Sequence, residues 1–373
     1  MRDRITLVTC GPTEHGICRF GRDLAETAQQ QDFTGTVLHH NDPHLLAAVV
    51  DRVPGDTRLL HLQANDWLFT DRTHRAEEAV LDLAALLRIR RIVLSLTLHD
   101  LPQQAVSREL FLRRARSYAA MAGAAVGVVV SSEHERLLLE EAAAILGSVD
   151  GPAVVGQRMP PVEVIPLPVR TGPRNGPDDR PGHRREARAA GPVHASAPVM
   201  GVLGFIYPGK GHREVLEELA STRTPVALVA IGRPSDGHAA MLPDLIDLGR
   251  RLGIEFTSTG FVPDGALAAH LRGVAVPIAP APHVSASASV NSWIAAGRRP
   301  LVPASRYAQE LCDRMPGAVR IYEPGELCAA VESALADPSL TYLPPGFRPH
   351  PDRTEAASRY LRWLRSIAAS STR

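Results

Sequence analysis

The sequence has 373 residues, 45% of them hydrophobic and 22% charged, with a formal net charge of +1. That length suffices for two domains, and the balanced charge argues against a nucleic-acid binder or a polybasic membrane surface. Four cysteines (Cys10, Cys18, Cys312, Cys328) show neither a CxxC pair nor metal-ligand spacing, so reduced thiols are expected rather than a disulfide framework or a metal site.

The start, MRDRITLVTCGP, reads as a strand without the apolar core of a signal peptide. The longest apolar run, 118–130, is too short to span a bilayer. A cytoplasmic protein without a transmembrane segment is expected, and the Arg, Ala, Pro and Gly richness resembles that of a high-GC bacterial genome. Apolar runs predict strands over 5–10, 35–40, 58–64, 91–100, 126–132 and 162–168, with helices between them, such as 133–146. Residues 170–198 are rich in Pro, Gly and charge and nearly empty of large apolar side chains, which reads as a flexible linker. Strand-like runs resume at 199–206, 226–233, 254–262, 274–280, 300–305 and 319–324, and residues 354–370 form a last amphipathic helix. Buried strands alternating with amphipathic helices predict parallel α/β units. The expected domains are 1–169 and 199–350, joined by 170–198, with 351–373 as a C-terminal helix. Ligands of such folds sit beyond the carboxyl ends of the strands, so two facing domains imply a cleft.

Four strand-to-helix junctions carry unusual residues. In CGPTEHGICRF, Gly11 and Gly16 flank a turn whose helix begins near Ile17, where backbone amides can approach an anion or a sugar. The spacing is not a GxGxxG fingerprint, and a plain tight turn explains it as well. In SLTLHDLP, His99 and Asp100 end a strand otherwise fit only for burial, and a histidine there can steady developing charge. In GFIYPGKG, Gly209 and Lys210 precede a helix, an arrangement suited to phosphate, with a solvated turn lysine as the plain alternative. Gly211 stands where a Walker A loop needs Ser or Thr.

The fourth junction is PHVSASASVNSWIAAG, where Ser285, Ser287 and Ser289 lead into a helix expected over 289–296 and stopped by Gly297. Small side chains there leave room for a diphosphate to reach backbone amides. Capping with close helix–strand packing would also account for them.

The ordered set of these stretches, with VSSEHE, VEVIPLPV, VALVAIGRP, FTSTGFVPDGALAAHLRG and WIAAGRRPLV, resembles the GT-B glycosyltransferases of family 4 over nearly the whole chain. The resemblance implies two Rossmann-like domains and metal-independent sugar transfer with retention. It also implies a nucleotide-sugar donor held mainly by the second domain and a small-molecule or glycan acceptor held mainly by the first, with no cofactor. By this resemblance Gly11 and Gly16 lie near the donor phosphates, His99 near the sugar and Lys210 on the diphosphate. Arg233, Phe261 and Val262 lie near the nucleotide. Two glutamates that the family usually carries eight residues apart are absent, their places holding Val284 and Ser292. Ser285, Ser287, Ser289 and Asn291 stand in for these contacts, with His283 adjacent and Glu310 as a ribose partner. Asp100 and Glu14 are candidate acceptor bases, and His15, Asn65, Asp66 and Trp67 are acceptor-side candidates. A silent sugar-nucleotide-binding partner and a GT-B epimerase or pseudo-glycosyltransferase are the alternatives.

Overall fold

A computed structural model describes residues 3–70, 75–104, 107–150, 159–170 and 197–370. Two compact units emerge. The first takes the chain up to Pro168 together with the segment from Pro351 onward, and the second is Val169–His350. Residues 171–196 of the expected linker lie outside the described residues.

The first unit is a six-stranded parallel sheet of β1 (Ile5–Cys10), β2 (Thr36–His40), β3 (Leu59–Ala64), β4 (Val93–Leu98), β5 (Gly127–Val130) and β6 (Val162–Val164), in the order β2-β1-β3-β4-β5-β6. Every residue of β1 and β3 is buried, as expected of strands covered on both faces. Helices α1 (Gly16–Gln29), α2 (Ala76–Ile89), α3 (Arg108–Gly123) and α4 (Glu133–Asp150) connect the strands. The last helix of the chain, α11 (Arg353–Ser370), belongs to this unit: Leu361, Leu364 and Ile367 pack with Ile5, Leu7 and Leu59. Its Tyr360 hydroxyl lies 3.3 Å from Thr97 Oγ1.

The second unit repeats the plan with β7 (Val199–Leu203), β8 (Ala227–Ile231), β9 (Glu255–Ser258), β10 (Val276–Ile278), β11 (Leu301–Pro303) and β12 (Arg320–Tyr322), all parallel, in the order β12-β11-β10-β7-β8-β9. Its helices are α5 (His212–Leu219), α6 (Met241–Leu252), α7 (Asp264–Gly273), α8 (Ala288–Ala295), α9 (Arg306–Arg314) and α10 (Leu327–Ala336).

Most strands are shorter than their apolar runs. The run at 162–168 pairs only over Val162–Val164, because Pro166 and Pro168 cannot donate to a ladder. Helix α4 instead outruns its expected end at 146, reaching Asp150.

Strand order fixes where side chains can converge. In the first sheet the winding direction reverses between β1 and β3, and in the second between β7 and β10. Loops leaving the carboxyl ends of such strand pairs splay apart and leave a crevice. The four junctions singled out in the sequence follow β1, β4, β7 and β10.

Candidate functional site

In the second unit, the loop after β7 carries Lys210 and the loop after β10 carries the serines. Lys210 is the only lysine in the sequence, against 41 basic Lys and Arg residues in all. The solvated-turn alternative does not hold, because Lys210 is 9% exposed. Its ammonium points back toward Gly204, where an added Cβ would lie 3.1 Å from Nζ. Gly204 also has φ of 120°, so a side chain there meets both a strained backbone and the lysine. Nζ donates to Ser289 Oγ at 3.4 Å. Burial drives the Lys210 pKa down to about 8, with no carboxylate among the described residues acting against it. Residues 265–309 contain no aspartate or glutamate at all.

The serine stretch differs in detail from its sequence reading. Helix α8 starts at Ala288, and Ser287 is its N-cap rather than a loop residue, accepting from Val290 N at 3.2 Å. Ser287 N donates to the Tyr307 hydroxyl at 3.0 Å, and Ser287 Oγ lies 3.0 Å from Ser289 Oγ. Ser285 and Ser287 are buried. Of the amides expected to meet a phosphate, Val290 N is taken by the cap and Asn291 N by the Ser287 carbonyl. The amides of Ala288 and Ser289 have no helical carbonyl one turn back to bond. Gly297, φ 78°, closes the helix as a left-handed cap, and Arg298 N reaches back to Trp293 O at 2.9 Å.

The other donor-side candidates are more dispersed. Extensions of β7 and β8 pair through Ile206 and Pro234, which sets the Arg233 guanidinium over the Phe205 ring at 5.2 Å. Arg233 also donates to Asp236 at 2.9 Å. Phe261 is 66% exposed beyond β9, with Val262 half-buried beside it. Gly209 takes a left-handed φ of 87° in the lysine turn. Asn291 is buried on α8, and His283 is exposed. Glu310 lies on α9 near Arg314, at 3.7 Å.

In the first unit, Gly11 does not offer its amide to a ligand, because Gly11 N donates to His40 O at 2.8 Å. Its φ of 132° accounts for the glycine. Helix α1 is capped by His15, whose Nδ1 accepts from Ile17 N at 3.3 Å. That bond leaves the His15 proton on Nε2, and burial lowers its pKa. Gly16, the first residue of α1, has open space around it, and Glu14 is exposed.

His99 and Asp100 follow β4 as expected. The His99 ring is buried, with Nε2 2.9 Å from Gln63 Oε1 and Phe20 edge-on at 5.5 Å. Burial lowers the His99 pKa to about 4, with Asp100 pulling it upward and His15 downward. The ring is therefore neutral, and its bond to Gln63 puts the proton on Nε2. Asp100 adopts φ of 57°, a conformation that L residues rarely hold.

Of the three acceptor-side candidates after β3, two face inward. Asn65 donates from Nδ2 to Asp100 Oδ2 at 2.9 Å and accepts at Oδ1 from Leu68 N at 2.8 Å. Asp66 is bound bidentately by Arg114, at 2.6 and 3.0 Å. Only Trp67, 55% exposed, presents its side chain outward, with Arg114 over one face at 5.4 Å. Gln63, Arg114 and Tyr118 are absent from the sequence reading. Among the described residues no group of three His, Cys, Asp or Glu could hold a metal ion, and no helix is long and apolar enough to cross a membrane.

This architecture recurs in solved structures. HepE of Anabaena, solved with UDP and glucose, is 16% identical, covers 99% of this chain and 98% of its own, and has a TM-score of 0.62. Sucrose-phosphate synthase from Thermosynechococcus elongatus is 15% identical, with 99% and 97% covered and a TM-score of 0.65. The lipopolysaccharide outer core galactosyltransferase WaaB, in its apo form, is 9% identical, with 99% and 98% covered and a TM-score of 0.56. The chain has the GT-B fold. By sequence, no family model and no curated protein matches.

Proposed function

We propose that this GT-B protein is a glycosyltransferase that takes a sugar from a nucleoside diphosphate donor and passes it to a small-molecule or glycan acceptor. The observation that carries the reading is Lys210, the sole lysine, buried without an acidic partner among the described residues at the point where the second sheet reverses its winding. A buried cation beside two hydroxyls and a helix start is incomplete until an anion meets it, and a diphosphate supplies that charge. The neighbour HepE was solved with UDP-glucose and with UDP, which supports a nucleotide-sugar donor here.

In the proposed mechanism, Lys210, the Ser287 and Ser289 hydroxyls and the first amides of α8 stabilise the diphosphate as the sugar–oxygen bond breaks. No carboxylate pair is assigned to double displacement in this reading. The departing phosphate therefore assists attack on the same face, giving retention without a metal. By the family resemblance the neutral His99 is the candidate to meet the sugar, and Asp100 and Glu14 are the candidate bases for the acceptor hydroxyl. Trp67 offers an apolar platform to a sugar ring.

The stretch without acidic residues at 265–309 favours one second reading, a sugar-nucleotide-binding partner that does not turn over. A panel of NDP-sugars, with and without candidate acceptors and with EDTA, separates the two. Nucleotide release in EDTA and a product of unchanged anomeric configuration by NMR are the expected results. Tight binding with no release for any donor would leave the silent partner.

A further inference from the structure

The turn that carries His99 and Asp100 is fastened by α3, whose Arg114 also holds Asp66 and lies over Trp67. We infer that Tyr118 and Arg114 of α3 are positioning residues, which lock the His99–Asp100 backbone and so set the orientation of both side chains. The inference rests on the transfer reading for its kinetic consequence.

Arg114 and Tyr118 are four residues apart and therefore share one face of α3. The fully buried Tyr118 hydroxyl is bonded to the His99 carbonyl and lies 3.1 Å from the Asp100 carbonyl and 3.2 Å from Asp66 Oδ1. It has one proton for three oxygens, and Arg114 supplies the rest. Arg114 Nε donates to Asp66 Oδ2 at 2.6 Å, and its terminal NH2 group donates to Asp66 Oδ1 at 3.0 Å and to the Asp100 carbonyl at 2.6 Å. Each of these oxygens thus has a donor. Asn65, from the same loop as Asp66, holds the Asp100 carboxylate.

The left-handed Asp100 is over-determined by these bonds, which hold both its carbonyl and its carboxylate. Strain maintained in this way sits where a side chain must be aimed. His99 is gripped at its ring by Gln63, at its carbonyl by Tyr118 and at its amide by the Ala64 carbonyl. Without the Tyr118 bond, the turn can relax toward ordinary backbone and swing both side chains.

Tyr118→Phe removes the bond and keeps the ring. With a donor that the wild type turns over, kcat should fall about tenfold while KM for the donor stays within about twofold. In a His99→Ala background the same substitution should cost clearly less than in the wild type, because only Asp100 is then left to be positioned. Arg114→Lys keeps the charge but loses the fork, and should give an intermediate loss; it is the second variant if Tyr118→Phe does not fold. An equal loss in both backgrounds, or unchanged kcat, would overturn the inference. Should no NDP-sugar be turned over by the wild type, the transfer reading fails by itself, and NMR of the histidine rings still decides the positioning. The His99 signals should move in Tyr118→Phe while those of His212, in the other unit, hold. Unmoved His99 signals would refute it.

Discussion

In the first unit, the polar groups beyond the strand ends satisfy one another: Asp66 with Arg114, Asn65 with Asp100, His99 with Gln63. In the second unit, the corresponding position holds a buried cation whose hydrogen-bond partner among the described residues is the Ser289 hydroxyl, and Ser289 lies in the acid-free stretch 265–309. Two sheets of similar topology thus end in opposite arrangements. One is preorganised by internal pairs, so its groups are already aimed before a ligand arrives. The other holds uncompensated charge, so a ligand of opposite sign completes it. The contrast teaches that a buried polar side chain has two meanings, and that its partners decide between them.

Substitution at the two charges separates these meanings most sharply. Asp66→Ala leaves Arg114 largely buried without its carboxylate, and should cost about 3–5 kcal/mol of stability, read by chemical denaturation. Lys210→Ala should do the reverse. It removes a cation that burial alone disfavours, so stability should hold or rise, while NDP affinity should fall by roughly 1.5–3 kcal/mol. Isothermal titration with UDP and with uridine checks this, since uridine binding should not change. A large stability loss in Lys210→Ala would erase the contrast between the units.

Acid should weaken both units. Burial lowers the pKa to about 4 for His99 and to about 3 for His61 and His212, against an ordinary 6.5. The unfolded chain therefore binds these protons first. Stability is full above pH 6.5 and declines as pH falls toward the folded values, by up to about 1.4 kcal/mol per pH unit for each histidine. His212 has no hydrogen-bond partner at either ring nitrogen and packs edge-on against Phe256. His212→Phe should flatten the acid slope by one histidine's share, measured by denaturation from pH 7 to 4.5. An unchanged slope would mean that His212 does not resist protonation.

The smallest effect belongs to the cap. Ser287→Ala should lower stability by about 1 kcal/mol and weaken NDP binding far less than Lys210→Ala. Ser287→Leu should impair folding as well as binding, because Ser287 is a buried N-cap bonded to Tyr307.

The alternation of strands and helices was legible because buried parallel strands are nearly continuous apolar runs, as in Ile5–Cys10 and Ala227–Ile231. The four junctions were legible too, since Gly, His, Lys and Ser interrupt those runs at their carboxyl ends. The side-chain partners were not. Arg114 and Tyr118 sit in RELFLRRARSYAAMAG among several arginines, and no spacing marks which one turns inward to Asp66. Asn65 and Asp66 read as ligand groups because their charge and polarity were visible and their distant partners were not. One further signal was present: a single lysine in a chain where every other Lys or Arg position is arginine marks residue 210 as distinct.

That single lysine allows the central claim to be measured directly. Protein grown with isotope-labelled lysine has one side-chain ammonium to follow by NMR across pH. Burial without an acidic partner predicts titration near pH 8 in the free protein, well under the ordinary 10.5. Addition of UDP should raise that value and shift the resonance, whereas uridine should do neither. A lysine that titrates near 10.5 and ignores UDP would contradict the account.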